Sequence, residues 1–410
     1  MGMGNANIAA TYFALLLLPM LSTDDDARGA FAGVDRIKTL RWLRRLQRSG
    51  DGSFGEVVYE ISPCPAGREG RGAGWEGDKV VVGGGKDMRY CYLAATIRWI
   101  LRGEGEEDTA RGEEGYVEDI DVDALVAHIR RSQTYDGGFS ESYRHESHAG
   151  YAYCAVAALA LLDRPLERGK VAEGQTPCHK KSQALQKGIG DIPGFISFLV
   201  SRQFVYLEPT RENAGKDYYE DDEEEDPDSA NFLLANLSLA ECTEAAKHVG
   251  FNGRCNKVAD TCYTWWVLGS LSVLGVLDNG GDGDHPSLAN NDNNTVDPIA
   301  IKAQREFLLE KTQHAIGGFG KRPGDPPDIY HSSLGLAALA TLGYPGLKKF
   351  DSGLCVSVDT VRKIEKGRRG LIEMGRKKES SGGSRVDFGK NLMDMAVSMG
   401  GGEGPDWLSV

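Results

Sequence analysis

The chain repeats one pattern four times, and this repeat constrains its fold more than any other feature. In each copy a helix-like segment ends at a glutamine, a short turn follows, and a phenylalanine closes it. The copies lie at residues 43–54, 129–139, 199–203 (with a delayed Gly-Phe at 250–251) and 309–319. Glycines supply the positive φ angles that such turns need. Repeats of this kind bury their apolar faces only against neighbouring copies, so we expect one cooperative unit.

A run dense in alanine, leucine and aromatic residues follows each turn. These runs cover residues 89–101, 148–162, 260–275 and 330–343, and a fifth run without a preceding helix covers residues 7–21. Helices that are apolar on every side are buried, so the runs predict inner helices and the segments before the turns predict outer helices. We therefore predict an all-α fold, in which the helix pairs either extend as a solenoid or close into an α/α barrel.

Domain boundaries follow from breaks in this pattern. We predict a barrel domain at residues 1–350, with Gly-rich or acidic loops inserted at about 60–86, 206–247 and 277–297. The periodicity weakens after about residue 345, so residues 351–410 are expected to form a partly disordered C-terminal extension.

Charge and cysteine usage restrict the class of protein. The net charge of −13 argues against a nucleic-acid binder, although an acidic run at residues 218–229, which we expect to be a disordered surface insert, supplies much of it. The eight cysteines form no CxxC pair, which indicates a reducing compartment and a cytoplasmic protein. The apolar run at residues 8–21 is too short and broken to span a bilayer, and no basic segment precedes it. We interpret it as a core helix, with a secretion signal as the less favoured alternative.

Ionisable residues gather at the start of the predicted inner helices. Arg89, His148, Asp260 and Cys262 open three of them, and His331 lies in the first turn of a fourth. If the helices close into a barrel, these side chains surround one mouth of the cavity. This placement predicts a functional site.

Asp260, Cys262 and His331 offer oxygen, sulfur and nitrogen ligands. Three protein ligands with an open fourth position are typical of catalytic zinc. Taken singly, each has a structural interpretation: an N-cap, a core thiol and a core histidine. Their matching positions at helix starts favour the metal.

A second group of residues favours an anion. His148, Arg254, Lys257 and Tyr263 are hydrogen-bond donors near predicted helix N-termini, where backbone N–H groups and the helix dipole also attract negative charge. A diphosphate is the natural ligand of such a group. The alternative is that Arg254 and Lys257 are solvated loop cations.

Aromatic residues recur along the inner helices. They are Tyr90, Tyr92, Tyr151, Tyr153, Tyr263, Trp265 and Trp266. Most are expected in the core, but a barrel lined by them would hold a long apolar chain. Zinc, a diphosphate site and an aromatic cavity together suggest that a metal-bound thiolate attacks an allylic carbon while a diphosphate leaves.

Three motifs carry a family resemblance. "ESHAGYAYCAVAALALL" (146–162), "GRCNKVADTCYTWW" (253–266) and "GGFGKRPGDPPDIYHSSLGLAALATLG" (317–343) resemble the β subunits of protein prenyltransferases. The similarity runs from about residue 7 to about residue 345. It implies an α/α barrel (toroid) and a heterodimer with a helical-repeat α subunit.

The resemblance also implies roles for single residues. Asp260, Cys262 and His331 would bind the zinc that activates the cysteine of the substrate protein, with Asp328 and Tyr330 beside the histidine. His148, Arg254, Lys257 and Tyr263 would hold the isoprenoid diphosphate, helped by a lysine of the α subunit. The cavity for the peptide and the isoprenoid would include Arg89, Tyr92, Trp266 and Tyr330.

One position bears on the class of enzyme. The motifs at residues 86–92 and 256–266 look most like type I geranylgeranyltransferases, particularly fungal forms. Lys321 stands where farnesyltransferases carry an aspartate that helps bind magnesium, so the resemblance implies a catalytic lysine and no need for Mg²⁺. The implied substrates are geranylgeranyl diphosphate and CaaX proteins ending in leucine, such as Rho-family small GTPases. The Rab-type and farnesyl enzymes are the alternatives.

The chain departs from the family pattern at its start. Further helix pairs normally precede the segment matched by residues 7–21, so we expect the chain to be truncated at its N-terminus and to expose apolar surface. A non-catalytic barrel protein is therefore an alternative. A terpene-cyclase-like barrel is disfavoured, because a string resembling its acidic DxDD motif occurs only in the acidic insert at residues 218–229.

Overall fold

The computed structural model describes residues 6–61, 79–103, 106, 116–166, 183–206, 247–277 and 300–380. The helices in these residues are α1 (Ile8–Leu21), α2 (Arg36–Arg45), α3 (Met88–Leu101), α4 (Val122–Arg131), α5 (Ala149–Asp163), α6 (Ala184–Gly188), α7 (Ile192–Val200), α8 (Thr261–Val273), α9 (Ile301–Glu306), α10 (Ile329–Thr341) and α11 (Val358–Ser380). A π-helical turn, Phe307–Thr312, continues α9, and a 3₁₀ turn, Asp26–Gly29, precedes α2.

Three short antiparallel hairpins accompany the helices. They pair β1 (Val57–Ile61) with β2 (Lys79–Gly83), β3 (Gln203–Val205) with β4 (Val249–Phe251), and β5 (Phe350–Asp351) with β6 (Val356–Ser357). The first two hairpins lie at the edges of segments that the sequence predicts as loops, at about 60–86 and 206–247. A pair of antiparallel strands therefore joins the two ends of each segment. Residues 62–78, 207–246 and 278–299 lie outside the described residues.

Five apolar helices form the inner layer of the fold. They pack side by side in the order α1, α3, α5, α8 and α10. The first residues of α1, α3, α5 and α8 each donate a backbone hydrogen bond to the segment that precedes the next inner helix, so neighbouring helices begin at the same end. Tyr153 and Trp265, both buried, fill the space between α5 and α8, where Gly269 allows the two helices to approach closely. The prediction of an all-α toroid is confirmed.

Each repeat turn is closed by a backbone bridge between its glutamine and its phenylalanine. The bridged pairs are Gln47 with Phe54, Gln133 with Phe139, Gln203 with Phe251, and Gln313 with Phe319. All four phenylalanines are buried. The third pair spans the long insert, so the delayed Gly-Phe at residues 250–251 takes the place that the repeat predicts.

The glutamine side chains couple each turn to the next outer helix. Gln47 accepts a hydrogen bond from the backbone N–H of Asp121 at 2.7 Å and donates to its carbonyl at 2.8 Å. Gln133 makes the same pair of bonds with Asp191, at 3.1 and 3.0 Å. Asp121 and Asp191 are the N-caps of α4 and α7. One residue type at one position therefore links consecutive repeats.

A glycine in the turn permits this contact. Gly137 has a φ of 88°, and a Cβ atom there would lie 2.2 Å from the carbonyl oxygen of Gly194 in the next outer helix. Any side chain at this position would therefore be strained and would separate the repeats.

The sequence analysis missed the last helix. α11 packs against the 3₁₀ turn and α1, and the buried Arg368 donates to the carbonyl of Trp99 at 2.6 Å. Val361, Ile364 and Leu371 form the buried stripe of α11, but two glycines interrupt it. A Cβ at Gly367 would lie 2.9 Å from the ring of Phe31, and one at Gly370 would lie 2.0 Å from the carbonyl oxygen of Arg28. The division into residues 1–350 and 351–410 stays a prediction, and residues 381–410 lie outside the described structure.

One face of α1 is apolar and exposed. Phe13 and Leu21 are 59% and 81% exposed, and Leu17 lies between them on the same face. The sequence analysis expected apolar surface here. Within the described residues, no helix combines the length and apolarity needed to cross a membrane.

Candidate metal centre and anion site

Asp260 and Cys262 are placed by the start of α8. Asp260 is the N-cap, and its Oδ1 accepts a hydrogen bond from the backbone N–H of Cys262 at 2.8 Å. Both side chains are buried. An N-cap two residues before the thiol therefore brings a carboxylate and a sulfur to the same point.

His331 reaches the same point from the first turn of α10. Its Nε2 lies 3.4 Å from Asp260 Oδ1, and ligand atoms of Asp260, Cys262 and His331 all lie within 4.8 Å of one another. On the other side of the ring, Nδ1 lies 2.5 Å from Oδ2 of Asp328, the N-cap of α10. The structure thus brings the three predicted ligands together, with an outer carboxylate on the histidine.

The electrostatics of this cluster fit a cation. Burial and the negative charge of Asp260 raise the pKa of the Cys262 thiol well above its usual value. Burial opposes protonation of His331, but hydrogen bonds to Asp260 and Asp328 outweigh it and raise the pKa of the imidazole. A divalent ion would relieve the conflict between the thiol and the carboxylate and would replace the proton on His331. The oxygen, sulfur and nitrogen donors are those that zinc accepts.

Lys321 lies in a loop that is fixed to the metal-ligand helix. Its carbonyl accepts from the backbone N–H of Thr261 at 3.0 Å, and the Thr261 hydroxyl donates to the carbonyl of Gly320 at 2.7 Å. The ammonium of Lys321 is close enough to favour the thiolate of Cys262. Lys321 is thus an exposed residue near the cluster, and the role that the resemblance implies for it stays a prediction.

His148 and Tyr263 form the centre of the predicted anion group. His148 is the N-cap of α5, where its Nδ1 accepts from the backbone N–H of Gly150 at 3.0 Å. The proton of the neutral ring is therefore on Nε2, which donates to the Tyr263 hydroxyl oxygen at 3.0 Å. Burial and the positive charge of Arg254 lower the pKa of His148 to about 4. His148 is thus a neutral donor near pH 7.

Arg254 and Lys257 lie in the loop before α8. Arg254 forms an ion pair with Glu146 at 2.7 Å, and both side chains are about half exposed. The carbonyl of Lys257 accepts from the Asn252 side chain at 2.8 Å, which closes the loop. This loop meets α5 through a hydrogen bond from Ala149 N–H to the Gly253 carbonyl, so Arg254 and His148 lie near each other.

The predicted cavity residues occupy different depths. Arg89 is exposed at the start of α3 and bonds Asp87, the N-cap of that helix. Tyr330 is half exposed beside His331, with a ring separation of 5.1 Å. Trp266 contacts Tyr153 deeper in the barrel, at 5.1 Å between rings.

Tyr92 belongs to the interior of the barrel. It is buried between Tyr12 and Tyr153, with ring separations of 5.9 and 5.5 Å. Tyr92 therefore packs within the interior among other tyrosines, and its role in a substrate cavity stays a prediction.

A family assignment follows from comparison with known proteins. The model of the prenyltransferase alpha-alpha toroid domain matches residues 2–356. The chain belongs to this family. The resemblance proposed from sequence is thereby confirmed.

Members of the toroid family with curated names resemble the chain at modest identity. The geranylgeranyl transferase type-1 subunit beta of Arabidopsis thaliana is 26% identical over 83% of this chain and 60% of its own length. The corresponding subunit of Dictyostelium discoideum is 24% identical over 83% of this chain and 61% of its own. The protein farnesyltransferase subunit beta of Schizosaccharomyces pombe is 26% identical over 82% and 59%. The chain thus spans about 60% of the length of these relatives.

One solved structure shares the toroid. The Candida albicans protein geranylgeranyltransferase-I complexed with GGPP matches with a TM-score of 0.57 and 25% identity, over 88% of this chain and 75% of that chain. The similarity therefore extends to both the fold and the sequence.

Two site residues of this toroid chain were missed in the sequence. Glu146 pairs with Arg254 across 108 positions, and Asn252 closes the loop that carries Arg254 and Lys257. One feature of the sequence could have pointed to Glu146: it lies two residues before His148, which opens an inner helix. Asn252 had none, because its role depends on the folded loop.

Proposed function

We propose that the chain is the β subunit of a type I protein geranylgeranyltransferase. It would transfer a geranylgeranyl group from geranylgeranyl diphosphate to the cysteine of a C-terminal CaaX motif, preferably one ending in leucine. The observation that carries the proposal is the convergence of Asp260, Cys262 and His331 at the starts of α8 and α10, near Lys321. Similarity to type-1 subunits beta and to the C. albicans enzyme supports the class.

One zinc ion would be held by Asp260, Cys262 and His331. When bound, it would lower the pKa of the substrate cysteine thiol and so supply the nucleophile. Asp328 accepts from Nδ1 of His331 and directs Nε2 toward Asp260, which supports this set of ligands.

His148, Tyr263, Arg254 and Lys257 would bind the diphosphate. Because Tyr263 accepts from His148, its own hydroxyl proton points away from the imidazole and can be donated to a ligand oxygen. His148 orients Tyr263 without adding charge, and Arg254 and Lys257 supply the charge. Together they stabilise the negative charge that grows on the departing diphosphate.

Lys321 is proposed to replace magnesium. Its ammonium would supply the positive charge that a metal ion otherwise provides to the diphosphate. Hydrogen bonds from Thr261 to the carbonyls of Gly320 and Lys321 hold the loop in place, so the Lys321 side chain does not have to. Transfer is therefore expected to proceed without added Mg²⁺.

The proposal also covers the residues that contact the substrates, the partner subunit and the location of the enzyme. Arg89, Tyr92, Trp266 and Tyr330 would contact the peptide or the isoprenoid. A prenyltransferase α subunit would be the partner, and CaaX proteins such as Rho-family GTPases would be the substrates. We place the enzyme in the cytoplasm, in keeping with cysteines that lack disulfide spacing.

The test is prenyl transfer by the chain purified with a type I α subunit. The complex is offered geranylgeranyl and farnesyl diphosphate, with peptides ending in leucine or serine, with and without Mg²⁺. We expect geranylgeranylation of the leucine peptide without Mg²⁺. Lys321→Asp should lower this rate and make it depend on Mg²⁺, whereas Lys302→Asp, at an exposed position of α9, should do neither.

Two results would contradict the proposal. A preference for farnesyl diphosphate would assign the chain to the farnesyl class. No transfer from a folded complex that contains zinc would support a non-catalytic barrel instead.

A further inference from the structure

Cys255 is an exposed thiol within the proposed diphosphate loop. It lies between Arg254 and Lys257, on the segment that joins β4 to α8. Among the cysteines that the structure describes, Cys91, Cys154 and Cys262 are buried and Cys355 is partly buried. Cys255 is therefore the thiol that a solute reaches most directly in this part of the chain.

A buried cation lies directly beneath this thiol. Arg202 is 7% exposed, and its Nη2 donates to Cys255 Sγ at 3.4 Å. Nη2 also donates to the Ser201 hydroxyl at 3.3 Å, whereas Nε and Nη1 are buried and have no hydrogen-bond partner in the described residues. The guanidinium instead packs over the ring of Phe198 at 5.0 Å. A buried charge without a counter-ion is costly, so the guanidinium attracts anionic groups to this position.

The loop holds the thiol above the guanidinium. The carbonyl of Arg202 accepts from the backbone N–H of Asn252 at 3.0 Å, and the Asn252 side chain donates to the carbonyl of Lys257 at 2.8 Å. Asn256, next to the cysteine, adopts a φ of 60°, which turns the chain sharply at the tip. The sulfur is thus presented to solvent by a loop that is closed at its base.

We propose that Cys255 is a site of thiol–disulfide exchange with anionic low-molecular-weight disulfides. We further propose that the mixed disulfide prevents a diphosphate from binding at Arg254 and Lys257. The exchange stands on the geometry of Cys255 and Arg202 alone. Its consequence for diphosphate binding rests on the proposed function.

The reaction balances without another oxidant. The Cys255 thiolate attacks one sulfur of the disulfide, a new S–S bond forms to the protein, and the original S–S bond breaks. The other half leaves as a thiolate, which takes up a proton from water. The protein thiol is oxidised and the departing half is reduced.

Charge selects the kind of disulfide. Arg254 and Lys257 flank the thiol and Arg202 lies beneath it, so a disulfide that carries carboxylates is attracted to the loop and an uncharged one is not. Glu146 offsets part of the charge of Arg254, and the one acidic residue of the loop, Asp260, lies five positions after Cys255 at the N-cap of α8. The same cations are those proposed to bind diphosphate, so the adduct and the diphosphate compete for one surface.

The first experiment measures exchange on the full chain in its zinc-loaded form. The chain is treated with glutathione disulfide, which is anionic, or with hydroxyethyl disulfide, which is uncharged, and peptide mass spectrometry locates the adduct. We expect Cys255 to react about tenfold faster with the anionic reagent at low ionic strength, and the difference to shrink in high salt. Because Arg202→Gln can fail to fold, this comparison tests the electrostatic argument on the unaltered chain. Equal rates, or adducts only on other cysteines, would overturn the proposal.

The second experiment measures whether modification of Cys255 weakens diphosphate binding. Inorganic pyrophosphate is titrated calorimetrically into the chain before modification, after modification and after reduction, with Cys255→Ser as the matched control. We expect modification to weaken binding at least about tenfold, reduction to restore it, and the serine variant to bind with or without the reagent. Unchanged binding by a chain modified at Cys255 would overturn the second part of the proposal. Failure of the unmodified chain to bind pyrophosphate would instead count against the proposed function.

Discussion

His331 lies between two carboxylates, with Nδ1 2.5 Å from Asp328 Oδ2 and Nε2 3.4 Å from Asp260 Oδ1. Asp328 and His331 share the first turn of α10, whereas Asp260 comes from α8. Since Asp328 accepts the Nδ1 proton, a neutral His331 presents its Nε2 lone pair toward Asp260 and Cys262. The outer carboxylate therefore determines which nitrogen can bind a metal.

Asp328→Asn should weaken zinc binding by about 10- to 100-fold, because an amide holds the Nδ1 proton less strongly than a carboxylate does. Asparagine is as good an N-cap as aspartate, so α10 should remain intact. Competition with a chromophoric chelator measures the affinity. Asp325→Asn, in the same loop, is the matched control and should bind zinc normally. Equal affinities in the two variants would mean that Asp328 does not orient the ligand.

His148 should titrate near pH 4 rather than at its ordinary value of 6.5. Burial contributes most to this shift, Arg254 lowers the pKa further, and Glu146 opposes it. Arg254→Gln should therefore raise the midpoint and Glu146→Gln should lower it. NMR titration of the His148 imidazole signals in the three chains measures both changes. A midpoint close to 6.5 in the unaltered chain would contradict the assignment of His148 as a neutral donor.

Gln47→Ala should destabilise the fold by about 1–3 kcal/mol, because the backbone N–H and carbonyl of Asp121 lose their partner in a mostly buried place. Gln313 occupies the same position of the last repeat, but it is exposed and its side chain makes no recorded hydrogen bond with the described residues. Gln313→Ala should change stability by less than about 0.5 kcal/mol. Urea unfolding of both variants tests the difference, and equal losses would refute the proposed coupling between repeats.

His128 should make the protein sensitive to mild acid. It is 4% exposed on α4, and burial lowers the pKa of the folded state to about 4 from an ordinary value of 6.5. Between these values the unfolded chain binds a proton that the folded chain does not, so stability falls as the pH drops from 6.5 to 4. The loss should be on the order of 3 kcal/mol and should level off below pH 4.

His128→Leu removes this contribution and should make that part of the stability curve less steep, with the slope due to His148 remaining. His145→Leu, at an exposed position, should leave the curve unchanged. Thermal unfolding at successive pH values measures both. The same slope in the His128 variant and the unaltered chain would assign the acid sensitivity to other groups.

The sequence by itself determined the repeat and the direction of the helices. Apolar runs and Gln–turn–Phe signals are local, so they predicted the inner helices and placed Asp260, Cys262 and His331 at one end of them. Local signals also located the turn glycines, as at Gly137. They missed α11, because glycines make two of its close contacts and interrupt the apolar stripe between Ile364 and Leu371.

The tertiary structure decided which distant residues come into contact and whether His148 is charged. The approach of His331 to Asp260, the pairing of Glu146 with Arg254, and the position of Arg202 beneath Cys255 join residues far apart in the chain. The neutral state of His148 depends mainly on its burial, which arises only when other segments pack around the ring. Ion pairing and desolvation depend on distances between separate segments, and those distances exist only once the helices have packed.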